Sequence, residues 1–159
     1  MQRVLTLAIA GVFALLVSTQ AQAQTLNFTA ALSGGNEVPG VLTGSAGTAT
    51  ISLNQATGAV TYRIDVYNMP AGTTAAHFHV GAPGVAGPVV VNFTVVTNIS
   101  NDFGITGTAS ATDLVPRAAQ GINSWDDFLQ ALMLGNIYAN VHSTNNPGGE
   151  IRGQVVRVQ

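Results

Sequence analysis

Cysteine is absent from this 159-residue chain. Disulfides are therefore excluded, and so are metal sites of the zinc-finger or blue-copper kind, which need a thiolate. Lysine is absent too, and only 8% of residues are charged. With a formal net charge of -2, the chain has no basic patch to attract a nucleic acid. Long apolar runs are missing, apart from the one near the start. No Gly-x-Ser-x-Gly elbow marks a serine hydrolase, and Gly81-Ala82-Pro83-Gly84 lacks the lysine of a phosphate loop. Histidine occurs only three times.

What is abundant is Gly, Thr, Ala and Val, arranged in short alternating runs. That composition predicts an all-β domain with many turns. The first residues read differently. Met1-Gln2-Arg3 is a short basic start, and Val4 to Val17 is apolar. This run is shorter than the ~20 residues of a spanning helix. Ala21-Gln22-Ala23 follows, an A-x-A pattern of the kind signal peptidase reads. The reading is a signal peptide over 1–23, cleaved after Ala23. A single domain over 24–159 is then secreted or periplasmic, with no membrane span once the signal is removed.

Strands are predicted at Leu26–Leu32, Ala46–Leu53, Ala59–Tyr67, Thr74–Val80, Val89–Val96, Ile105–Thr112, Ile137–His142 and Glu150–Val158. The cleanest alternation places Val60, Tyr62, Ile64 and Val66 on one face, with Thr61, Arg63 and Asp65 on the other. One short helix is predicted near 124–135. Ser124 and Asp127 make a capping box, Asp126 and Asp127 favour the N-terminus, and Gly135 stops it. About eight strands and one helix predict a Greek-key β-sandwich or barrel.

The candidate site lies in Ala76-His77-Phe78-His79-Val80. Residues i and i+2 of a strand share a face, so both imidazoles project to one side, their Cα atoms roughly 7 Å apart. Phe78 points the other way, toward a core. His142 lies in a second strand-like run. Three imidazoles can hold one metal ion and leave a position open, as catalytic sites do. Neutral imidazole suits copper, zinc, nickel and iron alike. Protons are expected to compete for the ligands near the ordinary histidine pKa of about 6.5.

The loop Ser143–Gly149 makes a hairpin with seven residues between its strands. His142 then lies opposite Glu150, and Asn140 opposite Arg152. Directly opposed residues share a face, so all four are expected on the metal side. Glu150 and Asn140 become candidates for supporting the ligands, with Glu150 orienting an imidazole or taking a coordination position itself. Arg152 becomes a candidate for presenting positive charge to a small anion such as superoxide. A register slip of one residue would instead leave Glu150 and Arg152 as an ion pair on the other face. Glu37 and Glu150 are a further candidate carboxylate pair, although nothing in the sequence places them together.

The chain resembles the CHRD domain, the module first named from repeats in chordin. The likeness rests on Leu32-Ser33-Gly34-Gly35-Asn36-Glu37-Val38-Pro39, Gly47-Thr48-Ala49-Thr50, Ala75-Ala76-His77-Phe78-His79-Val80-Gly81-Ala82-Pro83-Gly84 and Gly87-Pro88-Val89-Val90. Tyr138-Ala139-Asn140-Val141-His142-Ser143 and Asn146-Pro147-Gly148-Gly149-Glu150-Ile151-Arg152-Gly153-Gln154 complete it. The segment from Asn98 to Asn123 does not match well. The resemblance implies an extracellular β-sandwich and no settled activity. His77-Phe78-His79 is also similar to the copper-binding His-x-His of the Cu/Zn superoxide dismutases. The disulfide, the zinc ligands and the fourth copper histidine of those enzymes are missing, so such a site here is copper-only. The expectation is an exported copper-site protein, dismutase-like in its chemistry. The alternatives are a non-catalytic extracellular interaction module and a three-histidine zinc enzyme.

Overall fold

The strongest alternation in the sequence becomes the spine of the fold. In the computed structural model, which describes residues 24–159, Val60, Tyr62, Ile64 and Val66 are all buried along one face of their strand. The same period of two runs through its neighbours. Leu26, Phe28, Ala30 and Leu32 point inward from one strand, and Ala49, Ile51 and Leu53 from the next. The predicted signal peptide lies outside the described residues.

Among the described residues nine strands are formed: β1 (Thr25–Ser33), β2 (Ala46–Asn54), β3 (Val60–Met69), β4 (Thr73–Val80), β5 (Val89–Asn92), β6 (Asn101–Ala109), β7 (Ile137–Ser143), β8 (Ile151–Gln154) and β9 (Val156–Arg157). They make one sheet in the order β5-β4-β7-β8-β1-β2-β3-β6, with β9 also on β1. The sheet curls into a nearly closed barrel. Tyr62 of β3 stacks on Phe93 just beyond β5, with ring centroids 4.2 Å apart. Phe78 of β4 meets both of these rings edge-on. The two ends of the strand order thus face each other across one core.

Several strand boundaries differ from the sequence reading. β5 stops at Asn92 instead of Val96, and Val96 is 71% exposed. β6 begins at Asn101 rather than Ile105. Asn101 takes a left-handed φ of 64°, which reads as a turn in sequence, yet it pairs with Met69 across a bulge in β3. The last strand breaks at Val155, between β8, which lies between β7 and β1, and β9, which pairs with β1 alone.

The helix α1 (Trp125–Met133) carries the predicted capping box, with the Ser124 side chain accepting from the Asp127 N–H. Its Phe128 and Leu132 are fully buried, and Phe128 lies 6.1 Å from Phe78, centroid to centroid. Trp125 stacks on Phe128 and donates its indole N–H to the Gly58 carbonyl. The helix therefore closes the core on the side to which Phe78 points. This leaves the other face of β4 and β7 to the histidines.

Candidate metal centre

Strand register decides which side chains can meet. β4 pairs antiparallel with β7, setting His77 opposite Asn140, His79 opposite Tyr138 and Ala75 opposite His142. β7 pairs with β8, setting Asn140 opposite Arg152 and Tyr138 opposite Gln154. Opposed residues share a face, so His77, His79, Tyr138, Asn140, His142, Arg152 and Gln154 form one polar layer on the outer side of three adjacent strands. Every residue of β7 is buried. The barrel core covers one of its faces, and loops cover the other.

The three histidines converge as their spacing predicts. One ring nitrogen from each lies within 4.8 Å of the other two. His77 Nδ1 and His142 Nε2 are 3.1 Å apart. Nitrogens bound to one ion at about 2.0–2.1 Å lie roughly 3–3.5 Å from one another, so this pair already has the separation a shared ion needs.

Two backbone carbonyls fix the ring orientations. His79 Nδ1 donates to the Gly87 carbonyl at 2.9 Å, and His142 Nδ1 donates to the Pro147 carbonyl at 3.0 Å. Each bond leaves Nε2 as the lone-pair nitrogen. In His142 that lone pair meets His77. In His79 it meets nothing: Nε2 is buried with no hydrogen-bond partner. A buried unpaired acceptor costs about 1–3 kcal/mol, and a metal ion at the centre of the cluster would remove that cost. The donor set and the orphaned nitrogen therefore fit a metal.

Close backbone approach makes this geometry possible. A Cβ on Gly87 would lie 1.7 Å from the Val80 carbonyl oxygen, so only glycine lets its own carbonyl reach His79 and the Tyr138 hydroxyl. Tyr138 stacks flat on His79, with centroids 4.8 Å apart and planes 13° off parallel. The Arg152 guanidinium lies 3.8 Å from the centre of the same ring.

Burial governs the titration of the cluster. His77 is pushed down to about 4 by burial and by repulsion from His142 and His79. His79 is also pushed down to about 4, by burial, with the Gly87 carbonyl opposing the shift. His142 is lowered by burial, against the Pro147 carbonyl. Proton competition for a metal thus sets in as pH approaches about 4 for His77 and His79, well below the 6.5 read from the sequence. The same shifts link to folding. Between the unfolded value of about 6.5 and the folded value near 4, the unfolded chain binds protons the folded chain does not. Metal-free protein is expected to lose stability as pH falls through that window, with no further loss from these rings below it. Denaturant midpoints at about pH 7 and pH 4.5 check this, and equal midpoints would refute it.

Glu150 and Arg152 depart from the sequence reading. The register is the expected one at Asn140–Arg152, but the Glu150 carboxylate touches no imidazole. It accepts from Thr43, Ser45, Ser143 and Asn146 and is fully buried. Burial pushes this carboxyl up, and those hydrogen bonds outweigh it and hold the group below the ordinary range. Its link to the site runs through the 143–149 loop, which carries the Pro147 carbonyl to His142. Arg152 is 3% exposed, with Nη2 donating to the Val85 carbonyl. It is no surface charge to steer an anion from a distance.

Asn140 does adjoin the cluster, and its amide donates to Glu37 Oε2 at 3.4 Å. Burial raises Glu37 to about 7, against the pull of Arg152 and Asn140 and with a small push from Glu150. The sequence could not place Glu37 here. Its position depends on the loop after β1 packing over the 143–149 loop. Gly149, at a φ of 141°, makes room: a Cβ there would lie 2.7–2.8 Å from the Glu37 carboxylate atoms.

A protein-family model described as the CHRD domain matches residues 28–155. No curated protein and no solved structure matches the chain. Among the described residues, no helix is long and apolar enough to cross a membrane.

Proposed function

The chain belongs to the CHRD domain family, and we propose that this member is an extracellular module that holds one copper ion on His77, His79 and His142. The observation that carries the reading is the buried, partnerless Nε2 of His79, set beside two imidazole nitrogens already 3.1 Å apart. Imidazole donors favour copper(II) over zinc(II) in intrinsic affinity, so copper is the first choice and zinc the alternative. Three protein ligands leave a position open for water or a small substrate. Dismutation of superoxide is the reaction to assay, by likeness of the His-x-His motif to the copper/zinc dismutases. Family membership supports the extracellular setting, and the reading of 1–23 as a signal peptide accords with it.

The bond between His77 and His142 favours a second reading, in which the histidines satisfy one another and the domain is a non-catalytic interaction module. Metal analysis of protein exported and purified without added metal separates the two. About one copper per chain is expected for the first reading. Zinc in its place would make the site a zinc site, and no bound metal after loading with either ion would leave the interaction module.

A further inference from the structure

Arg152 is a buried charge held without a carboxylate. It is 3% exposed, and guanidinium groups so covered are paired as a rule. Among the described residues the ion pair found is Arg63 with Asp65. The charge of Glu37 interacts with Arg152, yet the two stay out of salt-bridge contact. What Arg152 touches is uncharged. Its Nη2 donates to the Val85 carbonyl, and its guanidinium lies 3.8 Å from the centre of the Tyr138 ring.

The same ring leads to the histidines. β4 and β8 flank β7 in the sheet, so His79 and Arg152 reach Tyr138 from strands on opposite sides. His79 stacks on Tyr138 with centroids 4.8 Å apart. One aromatic ring therefore joins the guanidinium to a ligand imidazole. We infer, on the copper reading above, that Arg152 raises the reduction potential of copper held by His77, His79 and His142.

Charge balance carries the inference. The cluster is three neutral imidazoles, with no carboxylate among its members. The Glu150 carboxylate is taken by Thr43, Ser45, Ser143 and Asn146. A copper ion would bring its charge into a buried site with no anionic ligand to offset it. Copper(II) carries one unit more than copper(I), so each neighbouring positive charge disfavours it by one further Coulomb interaction. Burial acts in the same direction, because the doubly charged ion loses more by leaving water. The field already shows on His79. Its protonated form is disfavoured by burial, against the Gly87 carbonyl, and further by the charges of His142, Arg152 and Arg117. Arg117 is only half-buried and is held by the Val89 carbonyl, so water screens it more than Arg152.

No bond forms or breaks at Arg152. Copper(II) takes one electron from an outside reductant of the enediol class, such as ascorbate, and becomes copper(I) on the same nitrogens.

The test is the midpoint potential of copper-loaded protein at about pH 7, titrated with ascorbate and followed by the copper(II) EPR signal. Wild type is expected above copper in free imidazole, measured in the same buffer. A unit charge about 10 Å away at an effective dielectric of about 20 changes the copper(I) to copper(II) affinity ratio roughly tenfold, or about 59 mV for one electron. Arg152→Gln should lower the potential by that amount. Arg152→Lys also loses the planar stack on Tyr138 but keeps the charge, so its potential should stay close to wild type. A merely structural role would move both variants alike. All three proteins should hold one copper, because Arg152 supplies no ligand. Three results would each overturn the inference and leave the three-histidine site standing. They are a wild-type potential at or below the imidazole reference, equal potentials in wild type and Arg152→Gln, and equal shifts in the Gln and Lys variants. The imidazole comparison needs no variant, so it decides even where Arg152→Gln does not fold. Folded wild type that binds no copper would overturn this inference and the copper reading together.

Discussion

Replacing His142 with alanine is expected to weaken copper binding by roughly a hundredfold or more. Four-ligand structural zinc sites bind with about 10–16 kcal/mol, so one ligand is worth about 3 kcal/mol, or two decades in affinity. His142 supplies Nε2 to the closest nitrogen pair in the cluster, and its Nδ1 is already committed to the Pro147 carbonyl. No neighbouring side chain replaces it, because Glu150 on the opposing register position is held by four other partners. The fold should survive, since the histidines lie outside the apolar cluster built by Phe28, Ile51, Ile64, Phe78 and Phe128. Isothermal titration with a competing chelator reads the affinity, and circular dichroism checks the fold. Unchanged affinity in a folded variant would remove His142 from the site.

The second large effect concerns Glu150. Replacing it with alanine is expected to destabilise the protein by about 3–5 kcal/mol, because donors from four residues lose a fully buried acceptor. Thr43 and Ser45 come from the loop before β2, Ser143 from the end of β7, and Asn146 from the β7–β8 connection. One carboxylate therefore ties two loops together. Loosening them should also release the Pro147 carbonyl from His142, weakening metal binding by roughly 10–100-fold, the usual size for a lost supporting contact. Glu150 is held below the ordinary carboxylate range despite its burial, by hydrogen bonds from Thr43, Asn146, Ser143 and Ser45. Its contribution is present above the unfolded value and is lost as pH falls through the folded one. Urea melts of the wild type and Glu150→Ala test the magnitude. A loss under 1 kcal/mol would mean the loops hold without it.

The path from sequence to site was direct where local pattern suffices. A period of two placed His77 and His79 together and turned Phe78 into the core, and both hold in the structure. The Ser124–Asp127 box located the helix because capping is a contact within one turn. A loop of seven residues gave the β7–β8 register, confirmed at Asn140 and Arg152. Face was legible, but contact was not. The sequence put Glu150 on the same register row as His142 without revealing that Thr43 and Ser45, more than 100 positions away, would take its carboxylate. Glu37 escaped for the same reason, since its place over Gly149 joins segments at opposite ends of the domain. The histidine pKa was misjudged because peptide values assume water, and these rings are covered by loops. The start of β6 was hidden by Asn101 and Asp102, which read as a turn until β3 pairs with them.

The central claim is a copper ion held by these three imidazoles. Electron paramagnetic resonance on protein loaded with one equivalent of copper(II) tests it most directly, with wild type compared against the His77→Ala, His79→Ala and His142→Ala variants. The account predicts a single tetragonal spectrum with nitrogen hyperfine structure, altered or lost in each variant, and no intense blue absorption because no thiolate exists. A wild-type spectrum matching copper in buffer, or one unchanged by all three substitutions, would contradict it.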